Sequence, residues 1–173
     1  MRILRGLLLA GVLAWALAPE LPRYLAERML RPATDSLRYL VSHPREVSDP
    51  RGALDRIQEI ALAAAPGLPG DSRALVLAGS CRLVGADTAG ALEFYRKALD
   101  LGERAEIDLN LGRAYEGNGE TGKASAAFLR AIWISPALAP ALLPDLKIQA
   151  LSEYQRLEAE LRAGRLASPP ELP

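Results

Sequence analysis

Between Glu106 and Gly117 the apolar residues fall at Ile107, Leu109, Leu111, Ala114 and Tyr115. The i, i+4 pairs Ile107/Leu111 and Leu111/Tyr115 build one apolar stripe, which predicts an amphipathic helix. Gly117-Asn118-Gly119 ends it, because glycine and asparagine accept the left-handed backbone of a tight turn. From about Thr121 a second helical pattern follows, with Ala124, Ala127, Phe128, Ala131 and Ile132 on one face. Pro136 stops it, since proline has no amide hydrogen to continue the ladder. The unit is a helical hairpin. Gly112 and Ala124 are small where the two helices would cross, and Tyr115 and Phe128 fill the space beside the crossing. The same pattern stands 33 residues earlier: Gly79 precedes Gly112, Ala91 precedes Ala124, Tyr95 precedes Phe128 and Ala98 precedes Ala131. A period in this range is the mark of stacked helical repeats.

Upstream, Arg23 to Leu40 is helical in pattern but interrupted at Arg31-Pro32-Ala33. Thr34 or Asp35 is then expected to cap a new helix reaching Ser42, which His43-Pro44 ends. Between Arg51 and Ala65, Gly52-Ala53-Leu54-Asp55 matches Gly90-Ala91-Leu92-Glu93 in type, with Ile57 in the place of Tyr95 and Ile60 in that of Ala98. This predicts the second helix of a degenerate repeat, with Ser36–Ser42 as its first. Ala65 to Gly70 reads as a loop. Past Pro136, a short helix is expected around Ala141–Leu143, between Pro140 and Pro144. Asp145 then caps a longer helix to about Ala163, with Leu146, Ala150, Tyr154, Leu157 and Leu161 on one face. Its charged back suits the polar terminal helix that a repeat stack needs. The expected segments are 1–22, 23–70, 71–136, 137–164 and a disordered tail over 165–173.

Composition supports an all-α chain. Half the residues are apolar but only 5% are aromatic, so the core is mostly leucine and alanine. No sustained period-two alternation is present. Basic and acidic residues number 21 each, which argues against broad attraction to nucleic acid. A single cysteine, Cys81, excludes an internal disulfide framework. The N-terminus reads as an address. Arg2 and Arg5 precede a charge-free apolar run from Gly6 to Ala18, the length of a signal-peptide core and short of the ~20 residues of a comfortable span. The arginines would hold that end in the cytoplasm. Ala16-Leu17-Ala18 and Ala14-Trp15-Ala16 both have the small-x-small form of a cleavage site, though Pro19 disfavours the first. An uncleaved anchor, a cleaved signal and a buried soluble helix all remain open, and Leu21, Tyr24 and Leu25 could extend an anchor along the interface.

The run Leu111-Gly112, Tyr115, Gly119, Ala124, Phe128, Ala131 and Pro136 resembles the tetratricopeptide repeat. The first copy keeps Leu75, Gly79, Ala91, Tyr95 and Ala98, but has Arg82 in the tyrosine position and Glu103 in that of the closing proline. The resemblance covers residues 71–136. It implies an α-solenoid whose first helices, about Ser72–Val84 and Ala105–Glu116, line a concave surface that holds a peptide or a partner helix. Facing inward would be Arg73, Val76, Leu77 and Ser80, then Glu106, Leu109, Asn110 and Arg113. Asn110 could pair with peptide backbone and Arg113 could grip a carboxylate. Val76, Leu77 and Leu109 could instead form an apolar groove for a helix.

Catalytic chemistry is not indicated. His43, the one histidine, precedes a proline in an expected loop and reads as a surface residue. Cys81 reads as a small buried thiol. Gly117-Asn118-Gly119-Glu120-Thr121-Gly122-Lys123 lacks the frame of a phosphate loop, because Ala124 follows the lysine and no strand precedes it. The expectation is a non-enzymatic scaffold at the cell envelope, with a protein or peptide partner, a membrane contact through the N-terminal apolar helix, and neither cofactor nor metal. Leu-, Ala- and Arg-rich usage suggests a GC-rich bacterial genome, which would make the outer compartment the periplasm. The alternative is a structural subunit packed permanently into a larger membrane complex.

Overall fold

The computed structural model describes Ala18, residues 20–165 and residues 168–171. The expectations about the apolar run and its cleavage concern residues 1–17 and lie outside the described residues, apart from Ala18. Among the described residues there are no strands. Seven α-helices follow one another among the described residues: α1 (Glu20–Ser42), α2 (Pro50–Ala64), α3 (Arg73–Val84), α4 (Thr88–Asp100), α5 (Ala105–Gly117), α6 (Thr121–Ile134) and α7 (Pro144–Arg162). Each packs on the next. The alternate helices α1, α3 and α5 also touch in turn.

The core falls in two clusters. One joins α1, α2 and α3 through Leu30, Leu37, Leu54, Ile57, Ala61 and Cys81, among others. The second joins α4 to α7 through Tyr95, Ile107, Tyr115, Phe128 and Ile132. Glycine makes the two central hairpins close. A β-carbon on Gly112 would stand 2.4 Å from the Phe128 ring, and one on Gly79 would stand 2.7 Å from the ring of Tyr95. Each aromatic therefore lies directly on the glycine of the preceding helix, rather than merely beside a crossing of small residues.

Two caps also recur. Asp49 and Asp87 each accept a hydrogen bond at 2.9 Å from the amide three residues on, Gly52 and Gly90. The carboxylate satisfies an orphan donor at the start of α2 and of α4.

Several local expectations are corrected. α1 does not break at Pro32 but runs unbroken through it. The residues Ala26, Leu30, Ala33, Leu37 and Leu40 bury one continuous seam, while Pro32 itself is exposed. Water can then satisfy the carbonyl that loses its partner, and packing overrides the proline. Thr34 caps nothing; its hydroxyl donates back to Leu30 O at 2.9 Å, as Ser36 donates to Pro32 O at 2.8 Å. In α2 the buried seam is Leu54, Ile57, Ala61 and Ala64, so Ile60 is exposed and Ala61 does the packing expected of it. Residues Pro136–Ala141, not 141–143, form a 3-10 turn. α7 starts at Pro144 after Leu143, with Asp145 inside its first turn instead of capping it. Proline suits that first position, where its missing amide donor would be an orphan in any case.

Candidate functional site

α1, α3 and the start of α5 enclose a cleft of about 690 Å³. Its apolar lining is Leu30 and Leu37 from α1, Val76 and Leu77 from α3, and Ile107 from α5. Arg31, Asp35, Arg38, Arg104 and Glu106 stand around these and are exposed, so charge of both signs rims an apolar floor.

Arg73 joins the two helices on one side of this cleft. Its guanidinium donates to Glu27 on α1, at 2.5 and 3.1 Å, and to Asp71 at 2.7 to 3.1 Å. These bonds hold both carboxyls below their usual range and raise the arginine above its own. With both carboxylates bound, Arg73 acts as a buttress between α1 and α3. Gripping a ligand carboxylate would require it to give up one of them.

Five of the eight residues expected to face a partner line the cleft: Arg73, Val76, Leu77, Ser80 and Glu106. The other three do not. Leu109 lies away from the cleft lining, in the core between the later helices. Arg113 donates to Asn110 Oδ1 and to the carbonyl of Ala141, both at 3.2 Å. The pair thus ties α5 to the 3-10 turn that follows α6. Ser80 is turned partly inward as well, with its hydroxyl 3.1 Å from that of Tyr95.

The sequence reading missed the α1 wall, which includes Leu30, Arg31, Thr34, Leu37 and Arg38. The signal was present in the spacing of Ala26, Leu30, Ala33, Leu37 and Leu40, but Pro32 concealed it. A buried carboxyl was missed too. Asp108 is fully buried in the second core cluster's helix α5, and neither carboxyl oxygen has a hydrogen-bond partner. Burial, then the negative charge of Glu103, push it up to about 7, against the pull of Arg130. Arg130 in turn donates to both oxygens of Glu103 at 2.6 Å and to the carbonyl of Pro170 at 3.0 Å.

Nucleophilic chemistry finds little here. Burial pushes the Cys81 thiol up to about 12, so it stays protonated near neutrality. His43 stacks on Tyr39 with ring centroids 4.6 Å apart at the exposed end of α1. Set against protein-family models, characterised proteins and solved structures, the chain matches none of them.

Proposed function

We propose that this protein is a non-enzymatic adaptor or assembly factor of the cell envelope, a solenoid of tetratricopeptide-type hairpins that holds a protein partner in the cleft between α1, α3 and α5. The observation that carries this reading is the cleft itself, where half-buried Val76 and the edges of the core residues Leu30, Leu37, Leu77 and Ile107 lie inside a charged rim. A partner's side chains would pack on Val76 and on the aliphatic stems of the rim, while Arg31, Arg104 and Glu106 would set its register. The glycine-on-aromatic contact repeated in α3–α4 and α5–α6 supports the repeat assignment. The apolar run Gly6 to Ala18 supports the envelope location. That Arg113 is already bound to Asn110 and Ala141 supports a reading in which the partner sits on the α1 side.

The test is photo-crosslinking in native membranes, with a photoreactive residue at Thr34 in the cleft or at Gln155 on the exposed back of α7. A partner band from Thr34 that is absent from Gln155 and lost in Val76→Glu, with that variant's thermal melt retained, supports the adaptor. Equal crosslinking from both positions overturns it in favour of a subunit enclosed on all sides.

A further inference from the structure

The first three turns of α1 carry an apolar stripe that no other part of the described chain covers. Leu21, Leu25, Met29 and Pro32 follow one another at i, i+4, i+8 and i+11, which places them in one line on the helix. Leu21 is 56% exposed, Leu25 49% and Met29 39%, and Tyr24 beside them is 58% exposed. The line extends about 16 Å along the axis at 1.5 Å per residue. Such a patch on a protein surface marks a contact with something apolar.

Its chemistry selects among the possible contacts. Arg28 flanks the stripe, with its guanidinium 5.8 Å from the Tyr24 ring centroid. Of the two acidic residues in these turns, Glu27 is already bound by Arg73, which leaves Glu20. A tyrosine and an arginine beside a leucine and methionine stripe match the layer where acyl chains meet headgroups. There the ring's apolar body and polar tip are both satisfied, and the Arg28 guanidinium meets lipid phosphates. The stripe also follows directly on the charge-free run that ends at Ala18. At 100° per residue, Leu30, Thr34 and Leu37, which line the cleft, project from the other side of α1.

We propose that the Leu21–Pro32 face of α1 lies in the surface of an anionic phospholipid bilayer and holds the cleft facing away from it. The inference rests on the envelope location proposed above. α1 would then do two tasks at once: one face sits among headgroups and the opposite face forms a wall of the partner cleft. None of the described helices is long and apolar enough to cross a membrane, so α1 makes this contact lying along the surface.

The test uses the full chain reconstituted into phosphatidylglycerol-containing vesicles in a Cys81→Ala background, with a fluorescent label on a single cysteine at Leu9, Leu25, Met29 or Thr34. Brominated lipid should quench the labels at positions 25 and 29 at least threefold more than the label at 34, and aqueous iodide should give the reverse order. Arg28→Gln should at least halve the lipid quenching at 25 and 29 while leaving position 9 unchanged. Iodide quenching at 25 and 29 equal to that at 34 overturns the proposal. Shielding of 25 and 29 from both quenchers also overturns it, and assigns the stripe to a second copy or to residues 1–17. If the label at 9 is in lipid while 25 and 29 are not, this inference falls alone. If position 9 is also outside the lipid, the envelope location falls with it.

Discussion

Two residues show how much one side chain can decide in this small-residue core. Gly112 has no space for a methyl group, because the Phe128 ring occupies it. Gly112→Ala should therefore destabilise by about 1–3 kcal/mol through overpacking. Combining it with Phe128→Leu should cost less than the sum of the two single changes, read from urea melts, because the smaller side chain vacates the clash. Asp108 makes a different prediction. Its folded pKa of about 7 lies above the usual carboxyl value, so the folded chain binds more protons than the unfolded chain between roughly pH 4 and 7. Its contribution is fully favourable below that window and is lost as pH rises through it. Asp108→Asn, which keeps the shape of the neutral acid, should gain on the parent between pH 5 and pH 8 by on the order of 2 kcal/mol. Thermal melts at the two pH values check this, and a pH-independent difference would exclude the ionisation account.

At the scale of the element, α1 and the caps of α2 and α4 are the instructive cases. The continuity of α1 through Pro32 means that the proline is an imperfection the seam tolerates, and one whose removal should help. Pro32→Ala should stabilise by about 1–3 kcal/mol and leave the helical circular dichroism unchanged, since the helix is already formed. A loss of stability would mean that the proline ring is itself needed for packing. Asp49→Ala and Asp87→Ala should each cost about 1 kcal/mol, because each leaves a glycine amide at a helix start without its acceptor. The Asp-x-x-Gly pattern was legible in the sequence at both places. Its meaning emerges once the helix starts are seen, with a β-carbon on Gly52 or Gly90 falling within 2.4 Å of the capping carboxylate. By contrast, the start of α7 has no side-chain cap and depends on Pro144.

Across the whole molecule, the two core clusters meet at the α3–α4 hairpin, where Leu75, Val76 and Leu83 of α3 pack on the later cluster while Leu77 and Cys81 serve the earlier one. Interactions in such a chain of helices are mostly between neighbours, so damage should propagate weakly. Phe128→Ala should raise amide exchange in α5, α6 and α7 far more than in α1 and α2. Uniform acceleration over all seven helices would show that the two clusters unfold as one unit. The Arg73 bridge to Glu27 ties the earlier part of the stack together across 46 residues of chain, yet it is partly exposed. Its role is better read as setting the width of the cleft than as a source of stability.

Local pattern determined the elements of this protein. Apolar spacing, the glycine and asparagine turns, and the 33-residue recurrence of Gly79, Ala91, Tyr95 and Ala98 are properties of neighbouring residues, and the helices from α3 to α6 were readable from them. Tertiary structure decided what those elements expose. Whether Pro32 breaks a helix depends on the seam on the far side of it, and whether Ile60 or Ala61 is buried depends on how α2 sits between α1 and α3. That Arg73 is bound to Glu27, Arg113 to Ala141, and Leu109 to the core follows from residues tens of positions away. A helical period shows which residues share a face, but which face meets a neighbour, a cleft or open solvent is settled only by the packing of all the helices together.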